Sequence, residues 1–295
     1  MDIELTKHTI EEDTVGRFLA MLKIREKSCA TIDKYMRDVR HFRRWLAPEV
    51  EFDKNRVIQY KNDLRKEYRI SSTNSKLSAL NTFFEYMGWE DCRVSILKVQ
   101  RASFRSAQRN LSRQEYLRLL RAAGDRGKDQ LLHIMETIAT TGIRVGELPC
   151  ITVESLETRR AVVTNKGKTR EVLLPLPLCL ELREWCRRQG IRSGAVFVTG
   201  TGRPVNRSSI LRGMKALAGP AGVAQSKIYP HNLRHLFALN YYEKEKDIVR
   251  LADLLGHANI NTTRIYTMTT SEEELGVLDQ MGAELMLSDR NKTIL

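Results

Sequence analysis

Apolar residues recur at three- and four-residue spacing along most of this 295-residue chain, and only one stretch gives a clear strand signal. There, Ala161-Val-Val-Thr164 and Glu171-Val-Leu-Leu174 flank Asn165-Lys-Gly-Lys-Thr-Arg170, which reads as a β-hairpin with a basic tip. A lone ribbon cannot carry a sheet-based core, so the expected fold class is mainly α with a small antiparallel hairpin. Ala195 to Val198 adds at most a short extended piece before the turn residues Gly200, Gly202 and Pro204.

The helical pattern falls into two groups. Val15, Phe18, Leu19 and Leu22 mark a helix over about 14–24. A second is expected from about Cys29 to Leu46, with Ile32, Tyr35, Met36, Val39, Phe42 and Leu46 inward and Lys34, Arg37, Arg40 and Arg43 outward. Asp53 can cap a third, presenting Val57, Tyr60 and Leu64, and a fourth runs from about Ser72 to Met87 before Gly88 stops it. Four amphipathic helices with short connections predict a bundle over residues 1–92. From Arg93 to Arg113 there are six basic residues, no acidic one and weak periodicity, which places a basic linker over 93–110.

Ser112-Arg-Gln-Glu115 is a capping-box pattern that opens a second domain, 111–295. That domain holds a helix over Leu131 to Ala139, the hairpin, and a helix bearing Leu178, Leu182 and Trp185 after Pro175 and Pro177. It reads as mostly helical from about Ser208, ending in a helix over 271–287 with Leu275, Leu278, Met281 and Leu285 as its stripe.

The formal net charge of +13 favours a polyanionic partner, with Arg37, Arg40, Arg101, Arg105 and Arg109 as candidates to meet a nucleic-acid backbone. Five cysteines, odd in number and without close metal-type pairing, are expected as free thiols in a reducing compartment. No apolar stretch approaches a membrane span and the N-terminus lacks a secretion-signal pattern, so a cytoplasmic location is expected.

Three segments offer residues suited to one substrate, a phosphodiester: Thr141-Gly-Ile-Arg-Val-Gly-Glu-Leu148, His231-Asn-Leu-Arg-His235, and Leu255-Gly-His-Ala-Asn-Ile-Asn-Thr-Thr-Arg-Ile-Tyr266. Arg144 and Arg234 keep their charge, and their planar forks match phosphate oxygens. His231 and Arg234, at i and i+3, share a helix face. Tyr266 can serve as nucleophile where guanidinium groups lower the cost of its phenolate.

In this order and at these separations, the three segments resemble the signature of the tyrosine recombinase family, which includes phage and transposon integrases and Cre-like and Xer-like recombinases. The resemblance covers about residues 111–295, and the first domain is similar to the family's core-binding domain in size and type. It implies a C-shaped clamp on duplex DNA, needing no cofactor, metal or ATP, that assembles as dimers and tetramers on recombination sites. The C-terminal helix is then a candidate contact between neighbours. Tyr266 would attack the scissile phosphate to give a 3′-phosphotyrosine and a free 5′-hydroxyl, while Arg144 and Arg234 clamp the non-bridging oxygens. His231 would act in proton transfer, His257 would hydrogen-bond the phosphate, and Glu147 would orient its neighbours.

A hairpin lysine would protonate the leaving oxygen. Family members often show Gly-Lys-Gly at that place, whereas this chain has Asn165-Lys-Gly-Lys168. Lys166 is the expected donor, Lys168 the alternative, and counting back from Thr169-Arg-Glu-Val172 puts the slot of some relatives at Asn165. Two other functions fit parts of the pattern: a type IB topoisomerase, and a non-catalytic DNA-binding regulator, against which the intact set of site residues argues. The short N-terminal lead leaves no room for an extra arm-binding domain, which favours an Xer-like or small-transposon arrangement in a bacterium. Lys166→Ala is expected to slow cleavage of an ordinary DNA site and to be rescued by a 5′-phosphorothiolate leaving group. Equal loss on both substrates would remove Lys166 from the role.

Overall fold

Ser28 and Asp53 each turn a side-chain oxygen onto a backbone N–H three residues on, at 3.3 Å to Thr31 and 2.9 Å to Arg56. These caps start α2 (Cys29–Leu46) and α3 (Lys54–Glu67), which lie between α1 (Glu12–Ile24) and α4 (Ile70–Met87). Gly88, at φ +73, ends α4 in the left-handed conformation. The computed structural model describes residues 6–98, 110–165, 168–257, 259–266 and 275–282. The chain divides into two units, Met1–Arg101 and Ala102–Leu295.

In the first unit the expected four helices surround an aromatic core. The Phe42 ring meets Tyr60, Phe52 and Phe84 at centroid distances of 4.9, 5.2 and 6.0 Å. Phe52 comes from a ribbon that the periodicity did not reveal, in which β1 (His8–Thr9) pairs antiparallel with β2 (Glu51–Phe52). Strands of two residues are too short to show an alternation. The outward face of α2 is also less free than its pattern suggests. Asp38 is buried there, bridged by Lys34 at 2.8 Å and Lys76 at 3.6 Å, which compensates its loss of water.

The first described helix of the second unit opens at the expected capping box, where Ser112 and Glu115 satisfy each other's backbone N–H at 2.8 and 3.1 Å. The box opens α5 (Arg113–Gly124), followed by α6 (Asp129–Thr141), a 3-10 segment (Val145–Cys150) and α7 (Val153–Thr158). The hairpin, β3 (Arg160–Asn165) and β4 (Lys168–Leu173), is longer than its β-branched cores. Pairs Thr164↔Thr169 and Asn165↔Lys168 extend the ladder into what reads as loop, and the two threonine hydroxyls bond across it at 3.1 Å. After it come α8 (Leu176–Gln189), α9 (Arg207–Ala216), the single turn α10 (Ala218–Ala221), α11 (Pro230–Glu245) and α12 (Ile248–Leu255). Pro177 does not precede α8 but sits in its first turn, where its missing N–H would have no helical partner anyway.

Ala195 and Val198 make only single bridges, to Thr152 and Pro204. Two more 3-10 turns, Ile260–Thr262 and Arg264–Tyr266, lead past α12, and residues 275–282 are helical. The core runs from α6 (Ile134, Met135, Ile138) to Trp185 and Phe197 on one side and Leu233 of α11 on the other. Among the described residues no helix is long and apolar enough to cross a membrane. Removing the ring at the centre of the first unit, Phe42→Ala, should lower that unit's unfolding free energy by about 3–5 kcal/mol in chemical denaturation.

Candidate active site

The first segment of the site is shaped by two constraints at the end of α6. Gly142 closes the helix at φ +65, and a Cβ there would lie 2.5 Å from the Phe237 ring, so only glycine fits. The chain then extends through Arg144 and tightens into the 3-10 segment, which brings Glu147 back beneath Arg144. One carboxylate oxygen of Glu147 accepts from the Arg144 backbone N–H at 3.0 Å, and the other from the Arg144 guanidinium at 2.9 Å. The first oxygen also takes an N–H of Arg170 at 2.8 Å. Burial alone would push the Glu147 carboxyl up, but the Arg144 backbone and side chain, together with Arg170, bring it below its ordinary value.

The second constraint lies at the end of α12. Its last carbonyls have no partner within the helix, and each is taken by a different arginine. Arg170 donates to Leu254 O at 3.0 Å, Arg234 to Leu255 O at 2.6 Å, and Arg144 to Gly256 O at 3.2 Å. Arg234, only 3% exposed, also donates to the Gly142 carbonyl, so its cation bridges the negative ends of α6 and α12. Burial lowers its guanidinium to about 10 and Arg144 pushes the same way, while Tyr266 and Glu147 oppose; the group stays charged at neutral pH. Gly256 is required here as Gly142 is there. It sits at φ +62, and a Cβ would fall 2.3 Å from Cδ of Arg170.

His257 follows directly. Arg234 donates to its Nε2 at 3.1 Å, and its Nδ1 lies 2.9 Å from the Thr263 hydroxyl. Because guanidinium can only donate, Nε2 holds a lone pair and the ring proton is on Nδ1. Burial, then Arg234, Arg144 and Arg170, lower His257 to about 4. His231, at the first turn of α11, is lowered by burial and then by Arg234, Arg144 and Arg207. Both imidazoles are therefore neutral at neutral pH.

Tyr266 is buried against Ala238, Leu251 and Leu255, with its ring 4.7 Å from His235 and 6.4 Å from His257, centroid to centroid. Arg234 and Arg144 pull its phenol down as expected, but burial outweighs them and the net shift is upward. In this state it is a protonated phenol that needs a base. Beside these groups lies a cleft of about 470 Å³ lined by Arg144, Glu147, Thr164, Arg207, His231 and Arg234, among others. Its lining contains one carboxylate, already committed to two arginines, so the donor set suits an anion and not a metal cation. Elsewhere His8, Asp91 and Cys92 bring ligand-type atoms together, as do His133, Glu136 and Glu181. Burial pushes the Cys92 thiol up to about 12, which opposes thiolate ligation.

Of the sequence candidates, Arg144, Glu147, His231, Arg234, His257 and Tyr266 thus gather at one end of the second unit. Lys166 lies outside the described residues, between Asn165, where β3 ends, and Lys168, where β4 begins. Arg101, Arg105 and Arg109 also lie outside them, as do 271–274 and 283–287 of the C-terminal helix. Arg37 and Arg40 are exposed and line a separate groove in the first unit with Arg43 and Arg44. Arg170 and Thr263 were missed. The parity of β4 could have found Arg170: residues 170, 172 and 174 alternate inward, and Val172 and Leu174 are buried. Reading Arg170 as part of the tip hid that.

Comparison with known proteins agrees with this geometry. Residues 109–273 match the model of the phage integrase family, and 15–91 match the family's N-terminal SAM-like domain. The chain belongs to the phage integrase family, the tyrosine recombinases. Among its relatives, tyrosine recombinase XerA of Pyrococcus furiosus is 28% identical, with 91% of this chain and 93% of the relative covered. Tyrosine recombinase XerD of Listeria monocytogenes is 27% identical, covering 88% and 94%. Among solved structures, XerA recombinase matches with TM-score 0.51 at 25% identity, covering 91% of this chain and 98% of that one. A lambda integrase dimer bound to a COC′ core site shares the fold with TM-score 0.72 at 19% identity, covering 88% and 77%.

The lowered histidines give a pH test. A group whose folded value lies below its unfolded value adds stability above the unfolded value and loses it as pH falls toward the folded one. For His257 the window runs from 6.5 down to about 4. Glu147 loses its contribution only below its ordinary value of 4.5. Unfolding free energy measured across pH 4–7 should fall with acidification, and His257→Gln should flatten that slope; an unchanged slope would contradict the assignment.

Proposed function

We propose that this chain is a site-specific DNA recombinase that cuts and rejoins duplex DNA through a covalent 3′-phosphotyrosine at Tyr266. The observation that carries this reading is the convergence of Arg144, Arg170 and Arg234 on the C-terminal end of α12, beside a buried phenol on the same chain. That is an anion cradle with a nucleophile next to it.

In the first step the phenolic oxygen bonds to phosphorus and the bond from phosphorus to the 5′-oxygen breaks. His231, neutral at working pH, is the proton acceptor for the phenol. Arg144 and Arg234 meet the non-bridging oxygens, where negative charge develops, and their backbone and Glu147 contacts hold them in place beforehand. His257 adds a hydrogen bond to the same phosphate. A lysine of the hairpin, Lys166 or Lys168, returns a proton to the departing 5′-oxygen. Attack of a 5′-hydroxyl from a second duplex reverses each bond change and releases the tyrosine. The phosphotyrosine keeps the energy of the diester, so these steps balance without an external energy source.

The relatives solved with DNA, a lambda integrase dimer on a core site and XerH recombinase on a difH substrate, support duplex DNA as the partner and dimers as a working state. A tetramer on two sites is part of the same proposal. The helix at 275–282 leaves Leu275, Leu278 and Met281 more than half exposed, which supports its role as a contact between neighbours. Arg37 and Arg40 of α2, and Arg101, Arg105 and Arg109 of the linker, are assigned to the DNA backbone. A topoisomerase reading draws no support from relatives that are named recombinases across both domains.

Recovering DNA ends covalently attached to the chain in cells identifies the duplex to use. On a nicked form of that duplex the wild type should accumulate a covalent complex that Tyr266→Phe cannot form. Arg144→Ala and Arg234→Ala should each slow its formation by roughly 10²- to 10³-fold, as loss of a preorganised charge contact does. Adduct formation by Tyr266→Phe would refute the nucleophile.

A further inference from the structure

Thr263 is fully buried, three residues before Tyr266 in a turn that the nucleophile shares: its carbonyl accepts the Tyr266 backbone N–H at 2.9 Å. Its hydroxyl faces Nδ1 of His257 at 2.9 Å. On the other side of the ring Arg234 donates to Nε2, which fixes the proton on Nδ1 and makes the Thr263 hydroxyl the acceptor. A phosphate oxygen is itself an acceptor, so His257 can serve it only with a hydrogen on Nε2. The tautomer that these contacts select is therefore the wrong one for substrate.

We propose that Thr263 is a positioning residue that lets His257 exchange tautomers without moving. When Arg234 turns its N–H toward phosphate, Nε2 takes a proton from water as Nδ1 releases its own to water, in one concerted relay that keeps the ring neutral throughout. The Thr263 O–H then rotates and donates to the bare Nδ1. A hydroxyl can accept in the first state and donate in the second, while its heavy atoms stay in place. Burial, and then the surrounding cations, keep the free ring from holding a second proton, so the relay does not pause at an imidazolium. By the same contact the turn that carries the nucleophile senses whether His257 is aligned. This inference rests on His257 meeting the phosphate, as proposed above.

The test uses the full chain and the duplex on which wild type forms the covalent adduct. Thr263→Val, which keeps the shape and removes the hydroxyl, should slow single-turnover cleavage roughly 10- to 100-fold, the usual cost of unpairing an oriented imidazole. DNA affinity should hold, and Thr263→Ser should restore cleavage to within about threefold, since serine keeps the two-way hydroxyl. Nitrogen-15 NMR of the His257 ring should show the proton on Nδ1 in free protein and on Nε2 in the uncleaved complex of Tyr266→Phe. If Thr263→Val cleaves like wild type while His257→Ala is crippled, the positioning role fails and the catalytic reading stands. If Thr263→Ser is as slow as Thr263→Val, packing and not the hydroxyl matters, and the proposal fails. If His257→Ala cleaves normally, the reading beneath it has failed.

Discussion

Everything at this site depends on the C-terminal end of one eight-residue helix. An α-helix leaves its last carbonyls without internal partners, and here three successive ones, Leu254, Leu255 and Gly256, are each claimed by a different arginine. Three guanidinium groups gathered at one helix end repel one another, and two of them have little contact with water. The partial negative charge at the helix end offsets part of that repulsion, by up to about 2 kcal/mol per cation in a partly buried setting. Glu147 offsets more of it by engaging two of the three. A surplus of two positive charges remains, three arginines less one glutamate, fixed in position before any substrate arrives. Such fixed dipoles and charges stabilise a transition state without having to reorganise during it.

The same helix holds the proposed nucleophile. Leu251 and Leu255 form the wall on which Tyr266 rests, so the phenol and the cations share one support. That proximity does not activate the phenol by itself. Burial raises the cost of phenolate more than the two nearest arginines reduce it, which leaves the tyrosine protonated until a base acts and the phosphate is in place. The proposed nucleophile is restrained in the absence of substrate, while the cations are already gathered beside it.

How much of this was legible depended on distance along the chain. Arg144 and Glu147 lie within one 3-10 turn, His231 and Arg234 within one helical turn, and His257 precedes Tyr266 by nine residues, so spacing alone could group them. Helix ends were also readable, since Asp53, Ser112 and Gly88 act on their immediate neighbours. The β1–β2 ribbon was not, because two residues per strand carry no period. Arg170 was misplaced for a different reason: a basic run around a glycine looks like a solvated tip, and only the cross-strand ladder shows that it continues as strand. Thr263 appeared as one polar residue among several, and nothing local indicates that it is fully enclosed.

Gly256 joins these scales. It lacks a side chain in part because its backbone turns left, but also because Cδ of Arg170, from a strand 86 positions earlier, occupies the volume a methyl would need. The letter written at 256 is thus partly dictated by the letter written at 170. A Gly-His pair is usually read as a local signature, yet here half of it is the imprint of a remote contact. A change at either position therefore alters what is permitted at the other, so the two form one unit of information split across the chain.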